Sequence, residues 1–129
     1  MKKSILLERY PIYSLEISKN ETSYKSADEI ISYFEGLINE HNIAKFIAKF
    51  DHYAHTTSIG GAINEDILDA KNIVFCFGRA IPNTKMLAAR PRSIGVCEMK
   101  DSFVIDFLEA PNEDMNKLME DWAKAVANL

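Results

Sequence analysis

Residues 72–111 constrain the fold most, because they hold three of the four arginines, both cysteines and three of the four prolines among strand-like apolar runs. Ile73 to Phe77 reads as a buried strand that ends at Gly78. Pro82-Asn83-Thr84 is expected to open a short helix through Ala89, since proline is tolerated in a first helical turn, and Pro91 stops it. Ser93–Met99 and Phe103–Leu108 then form two strands around Lys100-Asp101-Ser102, a connection short enough for an antiparallel hairpin. The block bounds architecture closely, yet none of its spacings dictates one reaction.

The flanking sequence supplies the remaining elements. Residues 10–18 alternate, with Tyr13, Leu15 and Ile17 set against Ile12, Ser14 and Glu16, the period of a half-buried strand. Pro11 suits the start or edge of such a strand. Ser26 and Glu29 form a capping box, from which Ile30, Ile31, Phe34, Leu37 and Ile38 run at helical spacing towards His41. The segment 43–53 fits either a strand or a helix; with the preceding helix ending near His41-Asn42, strand is preferred and helix is the competing reading. Residues 56–71 read as an irregular region, with Asn64 to Ala70 a short helical turn. Asn112 caps a last helix whose first turn carries Glu113 and Asp114, matched to the positive end of the helix dipole. Met115, Leu118, Met119, Trp122, Val126 and Leu129 form its apolar stripe.

The order β-α-β-β-α-β-β-α predicts a single α+β domain over residues 1–129: an antiparallel or mixed sheet of about five strands, two long helices and one short one, with helices mainly on one face. A chain of 129 residues can bury a real core without staples. Its 47% hydrophobic and 26% charged residues are those of an ordinary globular protein. The net charge of -4 argues against generic binding to nucleic acid or an anionic membrane, which depends on many cationic contacts. Lys2 and Lys3 precede a short apolar run, but Glu8 and Arg9 interrupt it, so no secretory leader is expected. No apolar run reaches the roughly 18 to 20 residues needed to cross a bilayer. A cytoplasmic location, with Cys76 and Cys97 reduced and buried, is the expectation.

The run Leu87-Ala-Ala-Arg90-Pro91-Arg92-Ser93-Ile94-Gly95-Val96, placed between a short helix and a hairpin, resembles small uncharacterised bacterial domains with a TBP-like α+β sheet. Phe50-Asp51-His52-Tyr53-Ala54-His55-Thr56 likewise looks like the signature of a small conserved-hypothetical bacterial group. The resemblance implies a fold and supplies no activity, cofactor or catalytic residue.

Two clusters are candidates for chemistry. Asp51, His52, His55 and Thr56 stand at the end of the second predicted strand. Histidine titrates near neutral pH and ligates metals, so His52 and His55 could share an ion if the chain turns between them, with Asp51, His41, Cys76 or Glu98 completing the set. The commoner reading of a motif without defined context is that Asp51 and Thr56 hydrogen-bond the loop while the histidines are partly exposed or satisfied by neighbours. Arg79, Arg90 and Arg92 form the second cluster, Arg79 following a strand and the other two flanking Pro91. Their planar paired donors match a carboxylate or phosphate, although arginines at element ends also serve to bond carbonyls or pair with acids.

Other features carry less. Gly60-Gly61 lacks the lysine and spacing of a phosphate loop, and no Rossmann fingerprint occurs. Cys76 and Cys97 lie in apolar contexts, where cysteine behaves as a small hydrophobe rather than a nucleophile. The acidic pairs Asp28-Glu29, Glu113-Asp114 and Glu120-Asp121 sit at helix starts or solvent faces. The sequence specifies no cofactor. Three functions compete: binding of a small anionic ligand through Arg79, Arg90 and Arg92 with His52 or His55 at the rim; a metal-dependent or acid/base enzyme at Asp51, His52 and His55; and a structural protein that forms a homodimer through a sheet edge or the last helix.

Overall fold

In the computed structural model, which describes residues 1–129, the alternating runs build one antiparallel sheet of six strands in the order β1-β2-β6-β5-β4-β3. The strands are β1 (Lys2–Leu6), β2 (Tyr10–Ser18), β3 (Lys45–Asp51), β4 (Asp69–Cys76), β5 (Arg92–Glu98) and β6 (Ser102–Leu108). Four α-helices accompany them: α1 (Ala27–Glu40), α2 (His52–Ser58), α3 (Met86–Ala89) and α4 (Glu113–Lys124).

Period-two alternation gives the sheet two unlike faces. Ile17 on β2, Phe103, Ile105 and Phe107 on β6, Ile94 and Val96 on β5, and Ile73 and Phe75 on β4 all turn to the same side and are buried. α1 covers this side over β3, β4 and β5, and α4 reaches it beside β2. Ile30, Ile31, Phe34 and Ile38 of α1 and Met119, Trp122 and Ala123 of α4 fill the space between. Trp122 packs on Phe75 and Phe77 with ring centroids 6.0 and 5.6 Å apart. The opposite side carries Ser14, Asp106, Gly95, Asn72 and Val74, a mixed surface in which Ser14 bonds Asp106.

Caps set the helix boundaries. The Ser26 hydroxyl accepts from Glu29 N–H at 3.1 Å, and the Glu29 carboxylate accepts from Lys25 N–H at 2.5 Å. Asn112 Oδ1 accepts from Asp114 and Met115 N–H, starting α4 as its sequence anticipates. Asn116, buried one turn later, accepts from Ala110 N–H at 2.9 Å and ties α4 to the chain leaving β6.

Several expectations need correction. The sheet has six strands, because Lys2–Leu6 pairs with β2 as an edge strand; its side chains are largely exposed, so no alternation announces it. Residues 45–51 are a strand, as preferred, but the strand stops two residues early. Asp51 Oδ1 accepts from Ala54 N–H at 2.9 Å and so caps α2, a helix where an irregular region was expected. Residues 64–67 make one hydrogen-bonded turn, Ile67 N–H to Asn64 carbonyl, and not a helix; β4 begins at Asp69 rather than Ile73. Pro82 lies outside α3, which spans only Met86–Ala89. Leu129 is 79% exposed and leaves the α4 stripe. Cys76 and Cys97 are unbridged but only half-buried.

Phe34 is fully buried beneath the sheet, so Phe34→Ala should remove about 3–5 kcal/mol of stability, read as a lowered urea midpoint with the same transition slope.

Candidate functional site

The antiparallel pairing of β4 with β5 and of β5 with β6 brings the end of β4, the start of β5 and the end of β6 to one end of the sheet. The chain leaving β4 must return to that same end to enter β5, so Arg79 and the pair Arg90 and Arg92 are brought together there. The segment leaving β6 carries Ala110, Pro111 and Asn112 there as well. These pieces enclose a cavity of about 380 Å³ lined by Arg79, Arg90, Arg92 and Asn112 among mainly apolar side chains, including Phe77, Met86 and Met115.

Gly78 makes the arrangement of Arg90 feasible. Its φ is +116°, a conformation that disfavours side chains, and a Cβ at this position would lie 2.5 Å from the Arg90 guanidinium carbon. The guanidinium therefore lies against bare backbone, where its Nη1 donates to the Ala80 carbonyl at 2.7 Å. Arg92 donates through Nη2 to the Leu108 carbonyl. Its Nε is buried without a partner, and burial pushes the guanidinium pKa down. Arg79 makes no hydrogen bond to protein and is exposed at the rim.

Charge is distributed unevenly. All seven ion pairs of the protein are made by lysines: Lys3 with Glu109, Lys19 with Glu98, Lys49 with Glu35, Lys117 with Asp121, and Lys71 with Asp28, Asp51 and Asp69. None of the three pocket arginines has a carboxylate within salt-bridge reach.

The histidine cluster lies elsewhere. Neither His52 nor His55 lines the arginine cavity, which corrects the expectation that one of them stands at its rim. Both pack on Phe50, with ring centroids at 5.2 and 5.4 Å. His52 Nδ1 donates to Asn72 Oδ1 at 3.0 Å, and Asn72 Nδ2 donates to Ser93 Oγ. The Asp51 carboxylate is engaged by Lys71 at 2.9 Å besides capping α2, and these hydrogen bonds hold its pKa below the ordinary carboxylate range, the Lys71 bond first. No group of three His, Cys, Asp or Glu side chains is placed to hold a metal ion. Cys76 donates its thiol hydrogen to the Phe77 carbonyl, and burial pushes the Cys97 thiol up, so neither is set as a nucleophile.

Sequence reading located the arginines but missed the walls. Ile43, Met86 and the Asn112–Met115 turn are separate in sequence, and only the strand order brings them to one cavity. Gly78 was visible as a strand exit; its service to Arg90 was not.

Two outcomes follow from these contacts. Gly78→Ala should cost roughly 1–3 kcal/mol through backbone strain and displace Arg90, whereas Gly36→Ala, on the exposed side of α1 with nothing within 4 Å of the new methyl, should gain roughly 0.5–1 kcal/mol in helix propensity; chemical denaturation of both variants checks the pair. Because the Asp51 pKa is depressed on folding, its contribution is present above the ordinary carboxylate value of about 4 and is lost as pH falls through the folded value. Asp51→Asn should therefore flatten that part of the acid limb of the stability-against-pH curve.

A model for a family of unknown function, DUF6858, matches residues 1–128, and the chain belongs to that family. No curated protein and no solved structure matches it.

Proposed function

We propose that this domain binds a small anionic ligand in the cavity at the β4–β5 end of the sheet, with Arg79, Arg90 and Arg92 supplying the positive charge. The observation that carries the proposal is the convergence of three of the four arginines on one cavity. Arg79, Arg90 and Arg92 border one concave, largely apolar cavity whose lining holds no Asp or Glu, and none of the three makes an ion pair. Gathering like charges beside apolar surface disfavours the empty protein, and a bound anion would offset that cost. Arginine also suits the task, because its guanidinium holds a carboxylate through two parallel donors and is weakly hydrated.

The volume fits this use. A cavity of about 380 Å³ falls at the lower end of small-molecule sites. Arg90 is fixed by Ala80 and Gly78, and Arg92 by Leu108, so less side-chain freedom is lost when a ligand arrives. Arg79, exposed and unbonded, is the element of the trio that adjusts.

Titration calorimetry with benzoate and with inorganic phosphate tests the proposal. At least one anion should bind, and Arg92→Met should weaken binding by about 10- to 100-fold, the range of a lost charge-assisted hydrogen bond. The same variant should keep or raise the thermal midpoint of the ligand-free protein, because it removes a half-buried charge that has no anionic partner. His52→Ala should leave binding unchanged. Failure of every anion to bind, or equal binding by Arg92→Met and the parent, would remove the proposal.

A further inference from the structure

The walls of the arginine cavity narrow the class of anion. Resting on the anion-binding reading above, we infer that the ligand is an amphipathic monocarboxylate: one carboxylate held by Arg92 and Arg79, and a flexible apolar body lying against Met86 and Met115.

The head group follows from the donors that remain. Arg92 Nη2 is committed to the Leu108 carbonyl and its Nε is buried, which leaves Nη1 as its uncommitted donor. Arg90 Nη1 is committed to Ala80. Apart from the arginines, Asn112 is the one lining residue with a hydrogen-bonding side chain, and its Oδ1 already accepts from Asp114 and Met115 N–H. No serine, threonine or lysine lines the cavity, and no glycine-rich run of free backbone N–H groups of the kind that cradles phosphate borders it. A phosphate dianion would carry three acceptor oxygens and a larger desolvation cost into a mostly apolar space. A carboxylate takes two parallel guanidinium donors and brings a single charge with a smaller desolvation cost.

The body follows from the apolar lining. Met86 comes from α3 and Met115 from the first turn of α4, and Phe77 and Ile43 add further apolar lining. Methionine is unbranched and polarisable, so a methionine-walled cavity adapts to bodies of differing shape. A cavity of about 380 Å³ lies at the lower end of small-molecule sites.

Calorimetric titration of the full chain with straight-chain carboxylates from butanoate to dodecanoate tests the inference, with inorganic phosphate as the apolar-free control. Affinity should rise about three- to fourfold per added methylene, the increment for burying a CH₂ group, and level off once the cavity is full. Met115→Gln should flatten the rise without abolishing binding of the shortest member, and Met86→Gln provides a second variant should the first fold poorly. Affinity independent of chain length, or phosphate binding more tightly than every carboxylate, would overturn the amphipathic assignment while leaving an anion site at the arginines. Failure of all the carboxylates and of phosphate would overturn both.

Discussion

The one-sided burial of the sheet governs everything else in this protein. Ile73, Phe75, Ile94, Val96, Phe103 and Ile105 all turn their side chains under α1 and α4, and a shift of pairing by one residue would reverse every one of them. That register fixes where each strand ends. Because β5 runs antiparallel between β4 and β6, the exit of β4, the entry of β5 and the exit of β6 meet at one end of the sheet. The cavity there is a consequence of strand order, and its arginines are placed by the requirement that the chain return to the end it left.

This explains why part of the site could be read in the sequence and part could not. Gly78, Pro91 and the apolar runs around them mark a strand exit and a strand entry, so the three arginines fall near element ends on local pattern alone. Their convergence needs the pairing of β4 with β5, which local pattern does not encode. The walls depend on longer connections still: Ile43 follows α1, and Met115 begins α4. The missed elements have a different cause. β1 is an edge strand with little burial to impose alternation, and α2 is a single short helix created by the Asp51 cap, whose side chain could equally have been assigned to a loop.

The two candidate clusters differ in how their polar groups are already employed. Asp51 is engaged by Lys71 and by the backbone of α2, and His52 is engaged by Asn72, so that cluster is accounted for by the joint between β3, α2 and β4. Around the cavity the reverse holds. Arg90 and Arg92 each spend one donor on a backbone carbonyl, Arg79 spends none, and no carboxylate balances them. A surplus of unpaired cationic donors beside apolar walls is what folding alone gives no reason to keep.

Nitrogen-15 and methyl NMR of the labelled chain, titrated with octanoate, tests that claim most directly, because it reports on both clusters in one experiment. The Nε–Hε resonance of Arg92 and the methyl resonances of Met86 and Met115 should move together and saturate, with the His52 and His55 ring signals unmoved. Shifts confined to the histidines and Phe50, or none that saturate, would contradict the account.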